Sequence, residues 1–245
     1  MELLRSPLIV APHGFPTREG GVSVGPYATL NSSRTVGDVP DAVDENLERL
    51  TRAALATRLA TVSQVHGDAV VKAKLEASAA VEADAVWTDE PGLAVGVRTA
   101  DCVPILVEDR VGRRVAAVHA GWRGVLAGVL PRALGVLQGE GTRLDDVRIA
   151  IGPCAHSCCF EVDGTLAVEF AQVFGSKVVV APHGKSKVHL DLPGALMESL
   201  RSLGVREEQV TVLPACTMCD RRFYSHRRDK GLTGRHLSFI TCRFS

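Results

Sequence analysis

Residues 94–124 read Ala94-Val95-Gly96-Val97-Arg98-Thr99-Ala100-Asp101-Cys102-Val103-Pro104-Ile105-Leu106-Val107-Glu108-Asp109-Arg110-Val111-Gly112-Arg113-Arg114-Val115-Ala116-Ala117-Val118-His119-Ala120-Gly121-Trp122-Arg123-Gly124. Three apolar runs of strand length, at 94–98, 103–107 and 115–119, are separated by turn-forming and polar residues. Runs of the same kind recur upstream at 60–65, 69–73 and 85–88, and downstream at 147–151, 177–181, 210–213 and 237–242. Helical spacing is confined to four segments. In 40–54, Val43, Leu47, Leu50 and Ala54 share one face. The others are 124–137, with a kink expected at Pro131, 164–174 and 195–203. The glycines and prolines of 13–31 predict a loop. Strands clustered in the middle with scattered helices predict an α+β fold. The expectation is a single domain over 1–245, with mixed β-sheets flanked by helices in α/β/β/α layers.

The chain has 245 residues, enough for a substantial core, and 46% of them are hydrophobic. Lys plus Arg and Asp plus Glu both number 28, so the formal net charge is zero. A neutral chain has no global field for nucleic acid or an anionic membrane. The basic cluster Arg221, Arg222, His226, Arg227, Arg228 and Lys230 lacks the aromatic interleaving of a nucleic-acid face. No apolar run is long enough to span a bilayer, and the N-terminus carries no signal-type apolar region. A cytoplasmic protein is expected. Seven cysteines is an odd number in a chain too long for a small disulfide scaffold. Thiols, metal ligands or nucleophiles are expected instead.

Three polar groups stand where apolar strands end: Gln64-Val65-His66-Gly67, Thr99-Ala100-Asp101-Cys102, and Val118-His119-Ala120-Gly121-Trp122-Arg123-Gly124. Strand ends hold side chains on a rigid support. His66, Cys102 and His119 together make two imidazoles and a thiolate, leaving a fourth position for water. That is the composition of a catalytic zinc site. Zinc lowers the pKa of bound water toward about 7.

The segments His13-Gly14-Phe15-Pro16-Thr17-Arg18, Gln64-Val65-His66-Gly67, Ala83-Asp84-Ala85-Val86-Trp87-Thr88, Thr99-Ala100-Asp101-Cys102-Val103-Pro104 and His119-Ala120-Gly121-Trp122-Arg123-Gly124 resemble the laccase-domain family. The likeness continues through Cys158-Cys159-Phe160-Glu161-Val162, Cys216-x-x-Cys219 and Tyr224-Ser225-His226-Arg227-Arg228-Asp229. The family has been labelled both multicopper polyphenol oxidoreductase and purine nucleoside phosphorylase. The resemblance implies zinc on His66, Cys102 and His119, with copper as the second choice of metal. It also implies purine nucleosides and phosphate as substrates, through phosphorolysis of adenosine, inosine, guanosine and methylthioadenosine, and deamination of adenosine. Arg98, Arg123, Arg235 and Arg227 are candidates for phosphate, because guanidinium binds it bidentately. Asn31 is placed with the substrate-binding residues, and Asp101 or Glu161 is the expected proton carrier. One departure is Leu47 after Asn46, where the family commonly has Arg; Arg49 or Arg52 could substitute.

Other readings stay open. Cys102 activated by His119 would make a cysteine-dependent amide hydrolase, acting for example on cell-wall precursors. Copper-dependent phenol oxidation needs several coppers and many histidines, and none of the eight here forms a His-x-His pair. A non-enzymatic metal-binding module has no positive support. Cys158-Cys159 with Cys216-x-x-Cys219 offers four thiols for a second ion. Successive strand side chains point to opposite faces, however, so local structural roles are expected. Cys154 and His156 have no counterpart in the family pattern.

Overall fold

The computed structural model describes residues 1–74, 81–181 and 187–243. Two mixed sheets stack face to face. One has six strands in the order Val210–Val212, Val147–Ile151, Val103–Asp109, Arg114–Ala120, Ala85–Thr88 and Val70–Lys72. Its two outer pairs are parallel and its inner pairs antiparallel. The other has five strands in the order Leu3–Leu4, His13–Pro16, His236–Thr241, Leu93–Thr99 and Arg58–Thr61. A small antiparallel sheet joins Glu161–Val162, Val188–Leu190 and Val179–Val180.

Strand alternation divides the core into layers. Val103, Ile105, Val107, Ala116 and Val118 point toward the helices Trp122–Ala127, Val129–Gly139, Gly164–Phe174 and Leu192–Ser202. Leu106, Ala117, Ala150 and Val86 point the other way and meet Val95, Val97, Phe15 and Ile240 of the five-stranded sheet. The far face of that sheet offers Ala94, Leu237 and Phe239, which Leu50 and Ala54 cover from the end of helix Pro40–Ala53. The result is the α+β arrangement of mixed sheets between helical layers. No helix among the described residues is long and apolar enough to cross a membrane.

Two local expectations are corrected. The segment 124–137 is two helices, and the break falls at Gly128 rather than Pro131. Gly128 has φ +78°, caps Trp122–Ala127 and precedes Val129–Gly139. Pro131 then lies in the first turn of the second helix, where its missing N–H is no loss. The opening segment is not all loop either, since His13–Pro16 is a fully buried strand paired with His236–Thr241. Its glycine and proline mask the pattern. Gly14 is there because a Cβ would approach Leu3 and Phe239 to 3.2–3.3 Å.

Candidate active site

A tight hairpin brings two of the three strand-end residues together. Strands Val103–Asp109 and Arg114–Ala120 pair so that Val103 faces Ala120 and Pro104 faces His119. Cys102 therefore sits across from Gly121. A Cβ on Gly121 would approach His66 Cδ2 to 3.0 Å and the Cys102 sulfur to 3.2 Å. The glycine is the space into which both side chains fit.

His66 comes from the turn before strand Val70–Lys72, and Asp84 fixes it there. Asp84 is fully buried at the foot of strand Ala85–Thr88. Its carboxylate accepts the backbone N–H groups of Val65 (3.2 Å), His66 (3.0 Å) and Gly67 (2.7 Å). It also accepts His119 Nδ1 at 2.7 Å. A carboxylate can only accept here, so Nδ1 carries the proton and Nε2 of His119 is left to bind an ion. A carboxylate placed in this way fixes the tautomer and orientation of an imidazole whose other nitrogen could ligate a metal. His66 is held at φ +61°, a strained left-handed conformation maintained by that N–H cradle.

The Cys102 sulfur lies 3.9 Å from His66 Nε2, and the ligand atoms of His66, Cys102 and His119 all lie within 4.8 Å of one another. An N–S edge of a tetrahedral zinc site spans about 3.6 Å. The donor set and spacing thus fit zinc with small closure of the ligands. Burial raises the Cys102 thiol, but hydrogen bonds and charge from His119 and His66 outweigh it and bring it down to about 6. Burial lowers His119, while Asp84 and Cys102 raise it to about 9. Burial pushes Asp84 up, and the donors from His119 and Gly67 hold it below its ordinary value.

The three residues open into a cavity of about 600 Å³. This is within the range of small-molecule sites, about 300–1,000 Å³. Arg98, Arg235 and Arg34 line it, and among the described residues no carboxylate does. Arg98 is fixed by Ser32 O at 2.9 Å and Thr61 Oγ1 at 3.1 Å, and its backbone exchanges two 2.7 Å bonds with the Gln64 amide. Burial and the charge of Arg34 lower Arg98 to about 10, so it remains a cation at neutral pH. Arg235 is anchored by the Thr233 and Gly234 carbonyls, and its Nη2 lies 3.4 Å from His226 Nδ1. Arg34 pairs with Asp44 at the rim.

Other sequence-selected residues lie elsewhere. Arg123 is exposed and stacks on Trp122 at 4.7 Å, off the cavity wall. Asn31 is fully buried with all its bonding positions used: its amide donates to Ser33 O and Asp38, and its oxygen accepts Ser33 N and Arg235 N. It positions Arg235 rather than facing the cavity. Asp101 lies beside Cys102, but its carboxylate accepts the Thr217 hydroxyl at 2.7 Å and the Arg227 amide at 2.8 Å. Glu161 pairs with Lys187, and Arg227 covers Phe160 in a separate groove with Trp122 and Gly164. Arg49 and Arg52 pair with Glu45 and Glu48 along their own helix. Sequence reasoning missed Asp84, Gln64 and Arg34 as site residues, while His226 belonged to the basic cluster read as a candidate anion-binding loop near the site. Asp84 carried a signal, a lone carboxylate directly before the apolar strand Ala85–Thr88.

A family model described as multi-copper polyphenol oxidoreductase laccase matches residues 12–243. A protein of Deinococcus radiodurans named purine nucleoside phosphorylase is 38% identical over 98% of this chain and 92% of its own length. Purine nucleoside phosphorylase YfiH of Escherichia coli is 38% identical, covering 91% of this chain and 90% of that protein. The crystal structure of YlmD from Geobacillus stearothermophilus superposes with a TM-score of 0.89 at 32% identity, covering 98% of this chain and 94% of that one. Bacillus licheniformis YfiH gives 0.88 at 30% identity, covering 94% and 92%.

Proposed function

The chain belongs to the multi-copper polyphenol oxidoreductase laccase family, and from that premise we propose that it is a zinc-dependent purine nucleoside phosphorylase. The observation that carries this reading is the composition of one cavity. Three would-be ligands share its wall with three arginines and, among the described residues, no carboxylate. Such a wall favours an anion next to a Lewis acid. The names of the relatives point to the same chemistry.

In this reading Arg98 and Arg235 hold inorganic phosphate with paired N–H donors. A phosphate oxygen forms the bond to the sugar C1′ as the C1′–N9 bond breaks, and the purine leaves with the bonding electrons and takes up a proton. Arg98 and Arg235 place the nucleophile, since guanidinium groups fixed by backbone carbonyls lose little freedom on binding. His226 lines the cavity outside the ligand set. Arg235 can only donate to its Nδ1, so Nε2 carries the hydrogen that can reach the departing base. His66, Cys102 and His119 hold the zinc, with Asp84 keeping His119 in the right tautomer. A zinc ion held there would supply Lewis-acid polarisation to the reacting groups. Adenosine deamination and methylthioadenosine phosphorolysis are assigned to the same cavity. Zinc is preferred to copper because multicopper oxidation needs further histidine clusters. Among the described residues the only other potential ligand group is made of cysteines.

Chromatography of inosine, adenosine and methylthioadenosine incubated with the protein tests this. Free base should appear only with phosphate, and inosine should form from adenosine without it. His119→Ala should lower both by at least about 100-fold, the scale of losing an ion together with its orientation. Full turnover by that variant would remove the metal from the mechanism.

A second reading has its own observation. Cys102 down at about 6 beside His119 up at about 9 is the pattern of an imidazolium–thiolate nucleophile. Under that reading an amide would be hydrolysed without metal, and iodoacetamide would inactivate the chelator-stripped protein and the untreated protein alike. The zinc reading predicts that bound metal protects Cys102.

A further inference from the structure

Four cysteines outside the catalytic cavity converge. Cys158 and Cys159 come from a turn before strand Glu161–Val162, and Cys216 and Cys219 from a turn after strand Val210–Val212. Their four sulfurs all lie within 4.8 Å of one another. Cys219 Sγ is 3.2 Å from Cys159 Sγ and 3.6 Å from Cys158 Sγ. These separations are too long for an S–S bond of about 2.05 Å. With all four sulfurs within 4.8 Å of one another, the separations lie around the edge of a tetrathiolate zinc site, about 3.8 Å for four Zn–S bonds of about 2.3 Å. The expectation that adjacent cysteines would diverge is corrected, because it holds for a strand. Residues 157–159 form a turn, in which neighbouring side chains can reach one point.

The second turn is closed by its own backbone, with Cys219 N and Asp220 N donating to Cys216 O at 3.2 and 2.9 Å. The two turns are already in register: Cys154 and Cys216 form an isolated parallel bridge, and Thr217 N donates to Cys154 O at 2.9 Å.

We propose that Cys158, Cys159, Cys216 and Cys219 hold a second, structural zinc ion that staples these two turns together. Four sulfurs in a closed tetrahedral shell leave no open position, which separates this site from the catalytic one. The staple stands behind the reaction centre. Thr217, between the second pair of cysteines, donates its hydroxyl to Asp101 next to Cys102, and its carbonyl accepts from Arg228 at 2.7 Å. The ion would thus fix the support of the Asp101–Cys102 corner.

Zinc per chain, counted by plasma mass spectrometry on the full chain after dialysis against zinc-free buffer, tests the proposal. The expected counts are two for the native protein, one for Cys216→Ser/Cys219→Ser and one for His66→Ala/His119→Ala. The ion left in the histidine variant should show an all-sulfur shell at about 2.3 Å by X-ray absorption. Should the cysteine variant fail to fold, cadmium-113 resonance of the native protein exchanged with cadmium decides instead, with two signals expected, one of them from an all-thiolate shell. A native count of one that drops to zero in the histidine variant overturns the proposal. So does a disulfide joining Cys219 to Cys158 or Cys159 in protein purified without oxygen. None of these readouts uses nucleoside turnover, so failure here leaves the catalytic reading standing.

Discussion

Asp84 gathers four N–H donors, three from the His66 turn and one from the His119 ring, onto one buried carboxylate. Replacing it by Asn turns one acceptor oxygen into a donor facing donors, and it frees the imidazole to rotate. Asp84→Asn should weaken zinc binding by about 10- to 100-fold, the usual cost of losing an outer-shell partner. Competition with a chromophoric chelator measures this, and an unchanged affinity would show that Asp84 serves the fold alone. The convergence of His66, Cys102 and His119 was expected from polar residues closing apolar strands together with the family resemblance. The roles of Asn31, Asp101 and Arg123 were not legible in the sequence, because a residue type and its motif do not say which way a side chain points. Asn31 and Asp101 turn inward to hold backbone amides of the Arg235 and Arg227 segments, while Arg123 lies outward on Trp122.

Helices Trp122–Ala127 and Val129–Gly139 change direction at Gly128. A Cβ there would meet nothing within 4 Å, and φ is +78°. Gly128→Ala therefore carries only a conformational cost, about 1–2 kcal/mol for a left-handed residue. Urea unfolding should show that loss with phosphorolysis kinetics unchanged. A neutral or stabilised variant would mean that the corner is not required. The hydrophobic period showed helix on both sides of this corner but could not locate it, since Pro131 looked the stronger breaker. Proline breaks a helix only where its N–H is needed. Strand His13–Pro16 escaped notice for a related reason: only two of its residues pair with each neighbour, Phe15 and Pro16 with Leu4 and Leu3 and His13 and Gly14 with Ile240 and Phe239, so the ladder is short enough to hold a glycine and a proline.

Across the whole molecule, the layered class followed from counting strands and helices, but the strand order did not. Strand His236–Thr241, last in the chain, lies between His13–Pro16 and Leu93–Thr99, and no local pattern encodes that crossover. It also buries His236, whose Nε2 accepts the Tyr224 amide at 2.7 Å while Nδ1 has no partner among the described residues. Burial, with the charges of Arg18, Arg228 and Arg235, depresses this imidazole to about 3. Above pH about 6.5 both native and unfolded forms are neutral. Between about 6.5 and about 3 the unfolded chain takes a proton that the native state refuses, so stability falls as pH falls. His236→Gln keeps an acceptor for Tyr224 without the titration, and urea midpoints at pH 7 and pH 4.5 should differ less for it than for the native protein. An equal difference would assign acid sensitivity to other groups. The proposed reaction needs one cavity in which cations face three would-be metal ligands, and inosine turnover by chelator-stripped protein tests that most directly. Without zinc, no hypoxanthine should form at any phosphate concentration, and adding zinc should restore its release only when phosphate is present. Undiminished phosphate-dependent release by the metal-free protein would contradict the assignment.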